Sequence, residues 1–102
     1  MADINNRDHV RYPFSVGKWV KIVKKEKNLN DFKMFQLIDI SQSGISFKSH
    51  DTKEFKRGEE FYILEIGDRI LEEPIVVKVK YIQPLDQFGV DIKVGAEFIS
   101  KI

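Results

Sequence analysis

Two short stretches carry side chains whose types and spacing could do chemistry. In "RDHVR", Arg7 and Arg11 lie four residues apart around His9. A guanidinium is a planar fork of donors that suits phosphate oxygens and the O6/N7 edge of guanine, and a lysine does not present that fork. The spacing puts both arginines on one side, whether the segment is extended or coiled. Extended, the pair spans roughly 13 Å at about 3.3 Å per residue; coiled, it could grip a single group. In "DISQSG", Asp39, Ser41, Ser43 and Gly44 close an apolar run. A carboxylate can accept from the N1–H and N2–H₂ of guanine. A serine hydroxyl and the backbone N–H groups of a turn suit phosphate oxygens, and a glycine lets backbone come close to a ligand. Each stretch also has a plain structural reading. The arginines fit solvated charge on a loose segment, and Asp, Ser and Gly fit a tight hairpin with positive φ at the glycine.

The elements that must position these groups read as β-strands. "FQLIDIS" alternates, with Phe35, Leu37 and Asp39 on one side and Gln36, Ile38 and Ile40 on the other. "PIVVKVKYI" sets Ile75, Val77, Val79 and Tyr81 against Val76, Lys78 and Lys80. "GVDIKVGAEFI" sets Val90, Ile92, Val94, Ala96 and Phe98 against Asp91, Lys93 and Glu97. One apolar and one wet face is the signature of antiparallel sheet. "VGKWVKIVKK", "GISFKS", "EEFYILEI" and "ILEE" are weaker strand candidates, and "DTKEFKRG" is the one candidate for a helical turn. Breakers such as "SQSG", "KRGEE", "IGDR" and "QPLDQFG" separate the runs. Six or seven short strands in about a hundred residues predict an all-β, antiparallel barrel or sandwich. Residues 1–13 read as a flexible arm, with Pro13 opposing helix at Tyr12, and residues 14–102 as the β-domain.

Composition narrows the function classes. The 102 residues suit one domain. The absence of cysteine excludes a disulfide framework and fits a reducing compartment. No run suits a signal peptide or a membrane span, so a cytoplasmic protein is expected. His9 and His50 lack metal spacing, the carboxylates are scattered, and Ser41 has no nucleophile elbow around it, so neither a metal site nor an enzyme is expected. The net charge of +1 hides an asymmetry: residues 7–33 carry eight basic side chains against three acidic ones, a net of +5. Such a segment could form a positive face, or the solvated rim of a strand. A general polyanion binder would be more basic overall, so a small anionic ligand ranks above duplex nucleic acid.

Taken together, R-x-x-x-R on an arm, D-x-S-x-x-G at a strand end and the closing "VGAEFI" resemble the PilZ family. The resemblance runs from Arg7 to about Ile99. It implies a six-stranded antiparallel barrel and, as in many members, a bacterial receptor for the second messenger cyclic di-GMP with no enzymatic activity. Arg7 and Arg11 would clamp phosphate and the guanine edge, Asp39 would read a guanine Watson–Crick face, and Ser41 would contact base or phosphate. Ser43 and Gly44 would offer backbone at close range. His9, inside the arm, and Asn6, where many members carry Arg or Gln, are further candidates. The arm would order on the ligand and pass the signal to a protein partner. A C-terminal helix common in the family has no counterpart here, and Tyr81, a candidate for stacking on guanine, reads more readily as core. Two other readings remain: a PilZ-like interaction module without nucleotide binding, and a small barrel binding single-stranded nucleic acid through residues 18–33, with Trp19, Phe32 and Phe35 as stacking candidates.

Overall fold

The period-two runs fold as strands because each can bury its β-branched and aromatic side against the others. A computed structural model describes residues 12–13 and 18–99. The strands are β1 (Tyr12–Pro13), β2 (Trp19–Lys24), β3 (Lys33–Ile40), β4 (Gly44–Ser49), β5 (Glu60–Ile66), β6 (Arg69–Pro84) and β7 (Ile92–Phe98). Neighbours run β3-β2-β5-β6-β7-β4, and β4 pairs back onto β3, so six strands close an antiparallel barrel. Closure removes the free edges that an open sheet would leave. β1 lies on the same edge of β3 as β2 but further along it: β2 pairs with residues 33–36, whereas β1 pairs Pro13 with Asp39 and Tyr12 with Ile40.

Val20, Ile22, Leu37, Ile45, Phe47, Phe61, Ile63, Val77, Val79 and Val94 fill the interior. At one end, Phe35, Phe47, Phe55 and Phe61 form a cluster with centroids 5.2–5.9 Å apart. Phe55 comes from the "DTKEFKRG" connection, which forms turns (Glu54 N–H to Asp51 O, Glu59 N–H to Lys56 O) rather than a helix. That connection plugs the barrel with an aromatic ring.

The ladders shift register at four places, one of them between β2 and β5, and the other three bear on the expected alternation. In β3 the register shifts between Leu37↔Phe47 and Asp39↔Ser46, leaving Ile38 as the extra residue. Leu37 therefore points inward, Asp39 turns to the outer face opposite Ser46, and Ile40 returns to the core. Strict alternation had put Asp39 on the side of Leu37. β6 repeats the device: the shift between Val79 and Tyr81 makes Lys80 the extra residue. Tyr81 is thereby outside and Ile82 packs on the core, the reverse of the reading that made Tyr81 core. The third bulge fuses "ILEE" and "PIVVKVKYI" into one sixteen-residue strand. Residues 71–74 of β6 stand opposite Leu64 alone, between Ile63↔Ile75 and Glu65↔Ile70. Pro74 falls in this bulge, where its missing N–H removes no rung. Val90, expected on an apolar face, precedes β7 and is exposed.

Candidate functional site

The two bulges that turn Asp39 and Tyr81 outward put them in one cross-strand row. Asp39 is paired with Ser46, Ser46 with Gly95, and Gly95 with Tyr81, across β3, β4, β7 and β6. Directly opposed residues share a face, so these four lie side by side on the outside of the barrel. Ser46, which sequence reasoning passed over, is 1% exposed, and its hydroxyl donates to Asp39 Oδ1 at 2.6 Å. The bond fixes the aspartate rotamer. Its signal in the sequence is a small polar residue between Ile45 and Phe47, legible only once the register is known.

Beyond Asp39 the chain makes the hairpin that "DISQSG" suggested. Ser41 N–H donates to Gly44 O at 2.8 Å, and the Ser41 and Ser43 hydroxyls lie 3.4 Å apart. Ser43 O accepts from Phe98 N–H at 2.9 Å, tying the turn to the end of β7. Gly44 does not take positive φ. Glycine is required there because a Cβ would collide with the Ala96 carbonyl oxygen of the neighbouring strand. Gly95 is required for a similar reason: the Tyr81 ring lies where its Cβ would be.

Ser41, Ser43 and Gly44 line a surface cleft of about 210 Å³ with Lys80, Tyr81 and Glu97. A Lys80–Glu97 ion pair of 3.4 Å sits at its rim. Asp39, Ser41, Ser43 and Gly44 are thus brought together with Tyr81 on one side of the barrel. Asn6, Arg7, His9 and Arg11 lie outside the described residues. The described chain closest to them, β1, runs beside Asp39.

The positive segment has a different fate from a positive face. Lys18, Lys21, Lys24, Lys25 and Lys33 pair with Asp68, Glu65, Glu59, Glu60 and Glu54 at 2.7–3.2 Å. Hydrogen bonding to Lys25 holds the Glu60 carboxyl below its usual range, and the same bond raises the Lys25 ammonium above its own. These acids, on β5, the β4–β5 connection and the β5–β6 turn, offset five of the segment's basic side chains. Of the stacking candidates, Phe35 packs in the aromatic cluster and Phe32 lies under the Lys21 ammonium, 4.1 Å from the ring centroid. Trp19 and Phe32 stay 44% and 42% exposed. A wider cleft, about 530 Å³, opens between β2, β3 and the β4–β5 connection over Ile22, Phe35 and Phe55. Its rim holds three lysines and three acids, so its field selects neither sign of ligand.

His50 and Asp91 form one further contact that sequence reasoning missed. Ser49 pairs with Ile92, so these two residues continue the β4–β7 ladder by one step, with His50 Nδ1 2.5 Å from Asp91 Oδ1. The His50 hydrogen bond, aided by Lys48, holds the Asp91 carboxyl below the usual carboxylate range. Among the described residues no group of three or more His, Asp or Glu is placed to hold a metal ion, and no helix is long and apolar enough to cross a membrane.

Fold and site together define a closed antiparallel β-barrel of the PilZ type, with a polar row and a serine–glycine hairpin on its outer face. The solved structure of the Bacillus subtilis inhibitor of motility (MotI/DgrA) is similar, with a TM-score of 0.68 and 20% identity over 94% of this chain and 44% of that one. The chain therefore spans less than half the length of that protein, and the likeness shows the fold. No family profile matches the chain, and no curated protein shows significant sequence similarity to it.

Proposed function

We propose that this chain is a non-catalytic PilZ-type receptor for cyclic di-GMP. The observation that carries the reading is the pairing of β1 with the end of β3 at Asp39 and Ile40. Arg11 directly precedes Tyr12 in the chain, which supports a site that joins the arginines to the outward-turned carboxylate and the "DISQSG" hairpin. Asp39, steadied by Ser46, accepts from a guanine Watson–Crick edge. Arg7 and Arg11 take a phosphate and the guanine O6/N7 edge. Ser41 and Ser43 contact phosphate or base, Gly44 gives backbone at close range, and His9 and Asn6 add contacts from the arm. The described cleft is about 210 Å³, smaller than the roughly 300–1,000 Å³ of typical ligand pockets, so the reading calls on contacts from outside it. Ordering of the arm passes the signal to a protein partner in the cytoplasm. The single-stranded nucleic acid reading loses its support, because the lysines it needs are paired with acids.

Isothermal calorimetry with cyclic di-GMP at low salt tests the proposal. Binding is expected, much weaker for GTP and GMP, and strongly weakened by Arg7→Ala, Arg11→Ala and Asp39→Ala. Absence of heat with tens of micromolar protein, on the order expected for such ligands, overturns it.

A further inference from the structure

The row beside Asp39–Ser46–Gly95–Tyr81 has a chemistry of its own. Two residues along β4, β7 and β6, and three along the bulged β3, the register sets Gln36 opposite Lys48, Lys48 opposite Lys93, and Lys93 opposite Gln83. Both rows face outward. Lys48 and Lys93 are therefore direct cross-strand neighbours of like charge, an arrangement that costs stability when nothing lies between them. Lys48 has partial compensation, its Nζ lying 3.7 Å from Asp91 Oδ2. Lys93 has no carboxylate partner among the described residues; its ammonium points toward the Tyr81 ring, 5.9 Å from the centroid. The step from Asp39 to Lys48 is one strand across and two residues along, about 8 Å from sheet spacings. Trp19 opposes Gln36 and ends the same row.

We infer that Lys48 and Lys93 form a second anion-binding point of this face, which takes the second phosphate of a cyclic dinucleotide whose first phosphate and guanine lie at the Asp39 end. The inference rests on the proposed receptor function and deepens it. A cyclic dinucleotide carries two phosphates on one ring, and an arginine pair with one aspartate accounts for one of them. The lysine pair, compensated only at Lys48, sits one row away, within the span of such a ring. Binding an anion between the two ammoniums turns a repulsive pair into a charge-assisted one.

Calorimetry with cyclic di-GMP tests this on the full chain, comparing wild type, Lys48→Gln/Lys93→Gln, Lys48→Arg/Lys93→Arg, and Lys56→Gln as an exposed control of the same charge change. The glutamine pair is expected to bind roughly tenfold more weakly or worse, as loss of charge-assisted bonds predicts, with a flatter dependence on salt. The arginine pair and the control are expected to stay within about twofold of wild type. Lys93→Gln alone, which removes the like-charge neighbour and leaves the Lys48–Asp91 pair in place, should melt no lower than wild type and should also weaken cyclic di-GMP binding. If wild type binds and the glutamine pair binds equally well, or if Lys56→Gln weakens binding as much, the inference is overturned and the receptor reading stands. No binding by wild type overturns both.

Discussion

Gly44 shows how one residue type can satisfy a sequence motif for a reason the motif does not reveal. Its glycine is needed because β7 passes so close that a Cβ would strike the Ala96 carbonyl, not because of a left-handed φ. Gly44→Ala should cost about 1–3 kcal/mol in denaturant unfolding, as overpacking typically does. A neutral result would mean that the β4–β7 contact relaxes freely. Ser46 acts through another residue. Ser46→Ala removes a 2.6 Å bond to Asp39 and should lower stability by about 1–2 kcal/mol. It should also weaken cyclic di-GMP binding beyond that of a variant with equal stability loss elsewhere, because the carboxylate loses its fixed rotamer. Stability without a binding effect would leave Ser46 a purely structural residue.

At the scale of the element, the bulges matter more than the strands that contain them. Sequence periodicity placed β3, the second half of β6 and β7 where they are, because burying one face of each run is the dominant gain. It placed Asp39 beside Leu37 and Tyr81 beside Val79, and in both cases an inserted residue, Ile38 or Lys80, reverses the side. Nothing local marks those insertions: a bulge depends on which partner strand arrives and in what register. The same holds for His50 and Asp91, distant in sequence and joined by the β4–β7 ladder. The Asp91 carboxyl is depressed in the folded chain, so the pair stabilises above the ordinary carboxylate pKa of about 3.9 and that contribution is lost as pH falls through the lowered value. Melting curves of wild type and Asp91→Asn should therefore differ most near neutral pH and converge in acid. A difference that grows in acid would contradict the linkage.

At the scale of the whole molecule, one aromatic-rich interior holds the strands that carry the site. Phe47, fully buried, touches Phe35, Phe55 and Phe61 and joins β4 to the plug over the barrel end. Phe47→Ala should cost about 3–5 kcal/mol, which lowers the melting temperature by roughly 12 °C or more for a domain of this size. Loss of the site's geometry should accompany unfolding as a single transition. The sequence by itself determined the fold class, the motif residues and the apolar faces, because alternation and turn chemistry are local properties of the chain. Only the tertiary structure decided that Asp39 and Tyr81 face outward, that five lysines of residues 18–33 pair with acids, and that Lys48 and Lys93 stand opposite each other. Those outcomes depend on which strands lie side by side and in what register, and a closed barrel fixes that through contacts between residues far apart in the chain.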